Sequence, residues 1–453
     1  MVVLKALYSF PGWVSQVLAT MSGVLSAIPD GMQYGWTSPI SSILLSTSSP
    51  IAVTDNDIFI LEVAYVLGGI LGIPITMYLL DKVGRKNTIL FAAFVALFAW
   101  ILIGFSSSVI TLHIARCILG STADVNFVTG PVYIAEISDK NIRGCLESTT
   151  QILLMLGVVV IYCIGPYVSI AVSSIIGASI LITQLSTFFF MPDSPYYHLM
   201  KNQKEEARKS LQAFRSTSDV DDELQIIEEA IIKENLETSR FLDLFKVRSN
   251  LKVVLILSVL NMLQHFSGVS VMAMNMHMIL KEADSMISAN AGAIIYSLIM
   301  LIACVVAGMV VDHAGRRLLL CVSSILTALT LVILAVYFTV KHNGVNLTSY
   351  NWIPVLMIML YALTVKLGLG TVPCILIGEL FPTNVKVWGV AYISAVVLFA
   401  VLLSVLFFNL LQEHFVAIKS IENFQVSRLI HWFSVLPDFA SIRSVIIVMV
   451  LSI

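Results

Sequence analysis

Charged residues are scarce in this sequence. Asp, Glu, Lys and Arg make up 12% of its 453 residues, whereas hydrophobic residues make up 58%. Soluble domains carry a charged share of about 25%, so the composition excludes an ordinary soluble protein. The formal net charge is −2 and the sequence has no basic cluster, so we do not expect nucleic acid as a partner.

The few cysteines also exclude several classes of protein. The six cysteines are scattered, and their spacing matches neither a disulfide framework nor a zinc site. The sequence has no recognisable nucleophile–base pair, metal cluster or nucleotide-binding loop. We therefore expect neither an enzyme nor a bound cofactor or metal.

Long stretches without any Asp, Glu, Lys or Arg are the main feature. A helix needs about 20 apolar residues to cross a bilayer. Several uncharged stretches exceed that length, namely 87–112, 253–280, 285–311, 318–340 and 387–412. They predict an all-α membrane protein with eleven clear spans, at 14–35, 58–80, 88–108, 110–131, 146–166, 170–191, 252–278, 287–311, 318–340, 352–378 and 388–410.

The remaining charges divide the chain into regions. A charged segment separates the sixth and seventh spans, and helical spacing of its apolar residues predicts a surface helix at 219–237. We predict a six-helix bundle at 1–191 and a cytoplasmic charged loop at 192–251. A second bundle with five clear spans is predicted at 252–410, followed by an atypical carboxyl-terminal segment at 411–453. In the last segment charges recur as far as Arg443, and the apolar run 444–453 is too short to span. A twelfth helix is therefore predicted to be missing or degenerate.

Two short motifs occur once in each half. The pattern D-x-x-G-R-[K/R] occupies 81–86 and again 312–317. Each copy is followed by an acid and a base seven residues apart, first at 136 and 143, then at 379 and 386. Repeated loops between apolar spans are typical of a duplicated membrane transporter.

We predict that these loops form a gate at the cytoplasmic ends of the two bundles. Ion pairs at helix ends are strong enough to hold one state of a carrier and weak enough to break. The gate residues are expected to meet within each half, and they are Asp81, Gly84, Arg85, Glu136 and Arg143 in the first half and Asp312, Gly315, Arg316, Arg317, Glu379 and Lys386 in the second. The alternative is that they are ordinary loop charges of the cytoplasmic side. That alternative explains the bases but not the acids or the matched spacing.

The distribution of cations predicts the orientation. Most Lys and Arg residues fall in loops on one side, which is therefore cytoplasmic, together with the amino terminus. The sequon that begins at Asn346 then lies outside, so Asn346 is a predicted glycosylation site and the plasma membrane is favoured.

These motifs resemble those of a known family. The two gate loops, Pro131 to Glu136, Pro192 to Tyr196, and Arg116 with Gly120 together resemble the sugar porter family of the major facilitator superfamily. Within it, the sequence is most similar to the insect facilitated trehalose and hexose transporters. The resemblance implies a major facilitator fold: two pseudo-symmetric six-helix bundles with a substrate cavity between them and alternating access.

The resemblance also implies a set of substrate-binding residues. The family's site maps onto Gln151, Gln264, His265, Ser270, Gly370 and Cys374. Gln151 and Gln264 match the family, whereas His265, Ser270 and Cys374 stand where the family has glutamine, asparagine and a stacking tryptophan. These departures lie in the second half, where they favour a different, less polar solute or weaker sugar binding.

Ionisable residues inside the spans are costly and are functional candidates. Lys366 in the tenth span could attract an anionic solute, pair with a carboxylate, or play a structural role. Thr37 occupies a position where some proton-coupled relatives have aspartate, which favours a facilitator.

We therefore predict a passive carrier of a hexose, trehalose or a related polyol, with the lipid bilayer as its surroundings. The alternatives are a non-transporting solute sensor or scaffold, and a proton-coupled symporter of a different small solute. The sequence does not predict an oligomeric state.

Overall fold

A computed structural model describes residues 11–46, 49, 51–139, 141–217, 219–236, 241–283, 286–342, 347–382 and 385–418. Within these ranges, the side chains of 233–236, 282, 312, 342, 348 and 411–418 are also outside the description. The described residues are predominantly helical. The predictions about Asn346 and about residues 419–453, including the twelfth helix, lie outside the described residues.

Helices occupy all eleven predicted spans. Spans 1 to 6 consist of Gly12–Gly23 with Ala27–Tyr34 and Thr37–Leu44, then Asp55–Lys82, Arg85–Gly104, Val109–Ile137, Arg143–Ile164 and Ile170–Phe188. Spans 7 to 11 consist of Arg248–Phe266 with Val269–Glu282, then Ala289–Ala314, Arg316–His342, Trp352–Thr364 with Val365–Leu369 and Val372–Leu380, and Lys386–Ile418. Among the described residues, nine helical segments are long and apolar enough to cross a membrane. Span 1 is interrupted, and span 4 carries the buried Arg116 and Asp124.

The first span continues further than predicted. The sequence predicted an end at residue 35, but a third helical piece runs over Thr37–Leu44. Pro39 lies in the first turn of that piece, where proline is tolerated because the first backbone N–H groups of a helix have no partner within it. Gly35 and Pro39 therefore divide the span without ending it.

Four short helices connect the two halves: Pro195–Met200, Lys204–Arg215, Asp221–Leu236 and Asp243–Lys246. The predicted surface helix is the third of these. Its Leu224 and Ile231 are buried against Leu211 of the second, which accounts for the helical spacing of apolar residues among the acids. The first three of these helices form a small apolar cluster of their own, whereas Leu244 of the fourth packs against residues of spans 7 and 11.

Glycines allow the spans of the first half to pack closely. Gly120 of span 4 lies against span 2 so tightly that a Cβ atom would be 1.9 Å from the carbonyl oxygen of Tyr65. Gly68 and Gly72 of span 2 make the reciprocal contacts with span 4, where a Cβ atom would be 2.0 and 2.3 Å from backbone oxygens. Small residues of this kind let helix backbones approach each other inside a membrane.

We expect Gly120→Ala to destabilise the protein, since its methyl group has no room unless spans 2 and 4 separate. The matched control is Gly308→Ala in span 8, where nothing lies within 4 Å of the added Cβ and alanine should be neutral or favourable in a helix. Thermal unfolding of the purified proteins in detergent checks this. Equal melting temperatures for the two variants would contradict it.

Candidate functional site

In the first half, Arg85 and Glu136 form a two-point ion pair. Arg85 Nη2 lies 2.7 Å from Glu136 Oε1, and Arg85 Nε lies 2.9 Å from Glu136 Oε2. The side chains are only 8% and 11% exposed. Two parallel hydrogen bonds from one guanidinium hold a carboxylate at a fixed distance and angle. This pair joins the start of span 3 to the end of span 4.

Gly84 allows the loop to reach this position. Its φ of +96° is one that side chains disfavour, and a Cβ atom there would lie 2.6 Å from the ring of Tyr197. The Arg85 guanidinium lies over the same ring, 5.5 Å from its centre. Burial and the neighbouring Asp193 raise the pKa of the Tyr197 phenol. The ring is therefore a neutral surface, and the loop of the first half is held by the first connecting helix.

The second half repeats the arrangement with greater exposure. Arg316 Nη2 lies 2.7 Å from Glu379 Oε1, but the side chains are 32% and 41% exposed. Gly315 has a φ of +80°, as expected from its match to Gly84. The repeat seen in the sequence is therefore also a repeat in the structure. In each half, the arginine that follows the glycine begins one span and pairs with an acid at the end of the next span.

The other predicted gate residues do not join these pairs. Arg143 donates to the carbonyl oxygen of Ser138 at 3.2 Å rather than meeting Glu136. Lys386 lies within electrostatic range of Glu147 on span 5, as does Arg143. Asp81 acts on Arg85 only through longer-range attraction. Arg143 and Lys386 begin spans 5 and 11, and neither forms a described ion pair with the acid seven residues before it.

Two predicted gate residues remain. Arg317 is exposed. The side chain of Asp312 lies outside the described residues.

At the opposite end of the spans, the two halves contact each other through span 7. Tyr34 donates to Ser270 Oγ at 3.0 Å, and Ser38 Oγ lies 2.8 Å from His277 Nδ1. Tyr162 donates to the carbonyl oxygen of Ala273. Ser270 is one of the predicted substrate residues, whereas Tyr162 did not stand out in the sequence because it is a single tyrosine without a motif.

Span 7 is irregular where these contacts occur. The helix is interrupted at Gly268, which has a φ of +90°, and it kinks at Asn275, whose φ and ψ are −124° and 17°. An irregular helix leaves backbone carbonyl groups without partners in the next turn. The carbonyl groups of Ala273 and Met274 accept from side chains of the first half for this reason.

Several predicted substrate residues lie next to this irregular segment. His265 Nδ1 lies 2.8 Å from Ser270 Oγ, which also accepts from Tyr34. Gln264 is 8% exposed, and its Oε1 atom has no hydrogen-bond partner among the described residues. Buried polar atoms are normally paired, so a free acceptor here is suited to a solute or water.

The remaining predicted substrate residues lie on spans 10 and 5. Cys374 Sγ lies 3.9 Å from the carbonyl oxygen of Gly370, within span 10. Gln151 is partly buried on span 5, and no contact described for it joins it to the residues of span 7.

Comparisons with known proteins assign the family. The family model "Sugar (and other) transporter" matches residues 17–436. The chain belongs to this family. It is 30% identical over 382 residues to the facilitated trehalose transporter Tret1 of Apis mellifera ligustica, covering 83% of this chain and 75% of the relative. It is 31% identical over 384 residues to Tret1 of Culex quinquefasciatus, covering 82% and 72%.

A solved structure assigns the fold. The structure of the proton:xylose symporter XylE bound to 6-bromo-6-deoxy-D-glucose superposes with a TM-score of 0.71 at 20% identity, covering 95% of this chain and 94% of that one. The predicted major facilitator fold is therefore confirmed. The chain is a multi-pass membrane transporter of the sugar transporter family and not an enzyme.

The difference in burial between the two ion pairs of this transporter leads to a prediction. Glu136→Gln leaves the buried Arg85 guanidinium without its counter-charge, which typically costs about 3–5 kcal/mol. Glu379→Gln affects an exposed pair, worth about 0–1 kcal/mol. We therefore expect Glu136→Gln to lower the melting temperature in detergent by clearly more than Glu379→Gln does. Equal losses would show that the two pairs contribute alike.

Proposed function

We propose that this protein carries a sugar, namely a hexose, trehalose or a related polyol, by facilitated diffusion through alternating access. The observation that supports this most directly is that ion pairs join residues within a half, whereas hydrogen bonds join the two halves to each other. Ion pairs lie within each half, at Arg85–Glu136 and Arg316–Glu379. The two halves are joined at the other end by hydrogen bonds to the irregular part of span 7, in addition to apolar packing between spans. Each half can therefore move as a unit while the bonds between the halves break.

The gate proposal follows from this arrangement. We place the repeated loops on the cytoplasmic side together with the amino terminus, and we place the protein in the plasma membrane. The contacts of Tyr34, Ser38 and Tyr162 with span 7 then lie on the external side, so the state described is closed outside. Lys386 and Glu147, which belong to different halves, attract each other near the cytoplasmic side. They would come closer or separate as that side closes or opens.

For the substrate we propose a site formed by the residues that match the family: Gln151, Gln264, His265, Ser270, Gly370 and Cys374. The relatives Tret1 are facilitated trehalose transporters by name, which supports a sugar. Hydroxyl groups of a sugar lose water on binding and need protein partners in its place. The Oε1 atom of Gln264 and the hydroxyl group of Tyr296 have no hydrogen-bond partner among the described residues, and we propose them as two such partners.

Uptake into proteoliposomes tests the proposed function. We expect saturable uptake of at least one labelled solute from a panel of D-glucose, trehalose and a polyol. Gln264→Ala should weaken apparent affinity for that solute about fivefold, because one neutral hydrogen bond is worth about 1 kcal/mol. The control is Gln225→Ala, on the connecting helix Asp221–Leu236, which should leave affinity unchanged. No saturable flux for any solute of the panel would contradict the proposal, and binding without flux would favour a sensor.

Proton-coupled symport is a second candidate, favoured by Glu62. This carboxylate on span 2 is 4% exposed. Its Oε1 atom lies 3.2 Å from Thr37 Oγ1 and 3.2 Å from Asn275 Nδ2 of span 7. The sequence favoured a facilitator because Thr37 cannot bind a proton, but the structure places a carboxylate beside it. Glu62 also bridges the two halves, where binding of a proton would alter a contact that must break.

Glu62→Gln distinguishes the two candidates, because the amide keeps the shape of the side chain and removes its proton-binding carboxylate. Under facilitated diffusion, we expect neither the unmodified protein nor the variant to accumulate solute under an inward proton gradient, and we expect exchange at equal concentrations to persist in both. Accumulation that is present in the unmodified protein and lost in the variant, with exchange retained, would instead establish proton coupling. Varying pH equally on both sides provides the control for effects on binding alone.

A further inference from the structure

Lys366 is a buried cation in the middle of span 10. It lies midway between the ends of the segment Trp352–Leu380 and is only 7% exposed. It belongs to the single π-helical turn Val365–Leu369. A lysine at this depth is costly in a membrane and marks a functional position, and π-helical turns are frequent at functional sites.

The ammonium group of Lys366 has no counter-charge among the described residues. The ion pair described for the second half joins Arg316 to Glu379, and no described carboxylate or hydrogen-bond acceptor pairs with the Lys366 side chain. Its backbone carbonyl oxygen does accept from Thr371 Oγ1 at 2.7 Å. That bond stabilises the π-helical turn without satisfying the charge.

The turn directs Lys366 towards the proposed substrate residues. Gly368, two residues later, faces span 9, since a Cβ atom there would lie 2.2 Å from Ser323 Oγ. Residues two apart in a helix point to roughly opposite sides, so Lys366 faces away from span 9. Its charge acts on the ring of His265 in span 7 and on the thiol of Cys374.

The path of the side chain agrees with this direction. A Cβ atom on Gly370 would lie 3.2 Å from Lys366 Cδ. The lysine stem therefore runs along its own span past Gly370, and the absence of a side chain at Gly370 leaves room for it. Gly370 thus lies beside the lysine stem, and His265 and Cys374 lie within electrostatic range of an ammonium group that has no described counter-charge.

We propose that Lys366 makes this site selective for a sugar acid, a polyhydroxylated solute that carries one carboxylate, such as a hexuronate. This inference rests on the proposed sugar site. A single ammonium group offsets a single negative charge, so a solute with one carboxylate leaves the occupied site neutral. The Oε1 atom of Gln264, which has no hydrogen-bond partner among the described residues, remains available for a hydroxyl group. Cys374 is smaller than the tryptophan that the family has at its position, so the site relies on charge where the family relies on ring stacking.

Binding to the full-length protein purified in detergent tests the proposal directly. The probes are D-glucuronate, D-glucose, glucose 6-phosphate and inorganic phosphate, each measured by the shift in melting temperature over a concentration series. We expect D-glucuronate to bind more tightly than D-glucose. Lys366→Met should weaken D-glucuronate binding by about tenfold or more, because hydrogen bonds to charged groups are among the strong ones. It should change D-glucose binding by less than about threefold.

Two further variants control for folding and for general charge. Lys366→Arg keeps the cation and should retain D-glucuronate binding. Lys252→Met removes a lysine at the start of span 7, where it is exposed, and should have no effect. If Lys366→Met does not fold, loss of D-glucuronate binding cannot be measured in it. In that case, the test is competition between D-glucuronate and D-glucose for binding to the unmodified protein and to Lys366→Arg. Equal affinities for the two solutes would overturn the proposal.

The remaining outcomes separate this proposal from the proposed function. Tighter binding of glucose 6-phosphate or inorganic phosphate than of D-glucuronate would overturn the carboxylate assignment. Saturable proteoliposome uptake of a neutral sugar, with no D-glucuronate binding, would overturn the sugar-acid proposal and leave the carrier function intact. D-glucuronate binding that depends on Lys366, without uptake of any solute, would support the site and contradict transport.

Discussion

A charge buried in a membrane must be offset, and this constraint orders the structure. Arg85 is offset by Glu136 at the helix ends, with two hydrogen bonds in a nearly dry setting. Arg116 is fully buried, and its guanidinium donates to the backbone and side-chain oxygens of Gln33 and lies over the ring of Tyr65. Both cations therefore serve as fixed parts of the first half. Lys366 differs because the described protein groups do not offset its charge, which is why the solute becomes the natural partner.

The same constraint separates the rigid parts of the molecule from the part that moves. Close packing through Gly120 and the buried Arg85–Glu136 pair hold the first half together. Between the halves, the contacts at Tyr34, Ser38 and Tyr162 are hydrogen bonds without full charges. Such bonds contribute about 1 kcal/mol each, so they can be exchanged for contacts with water or solute when the carrier changes state.

Much of the fold could be predicted, because a bilayer requires long apolar helices and the sequence shows them directly. The prediction failed at the end of span 1, where Gly35 and Pro39 divide a helix without ending it. The pairs Arg85–Glu136 and Arg316–Glu379 could be predicted from the repeated spacing. The positions of Arg143 and Lys386 could not, because each begins a helix, and the direction of that helix sets where its side chain points. Glu62 was missed since it stands alone within an apolar span, and only folding places it beside Thr37 and Asn275.

The sequence by itself determined the class of protein, the number of clear spans and the duplicated loops, because hydrophobic length and motif spacing are local properties of the chain. Only the tertiary structure decided which buried polar groups have partners. That is a property of distances between segments: Ser270 meets Tyr34 across 236 positions of the chain, and Lys366 lies within electrostatic range of His265 on another span. Whether a buried group has a partner depends on such long-range contacts, and the groups without a described partner are those that we propose bind the solute.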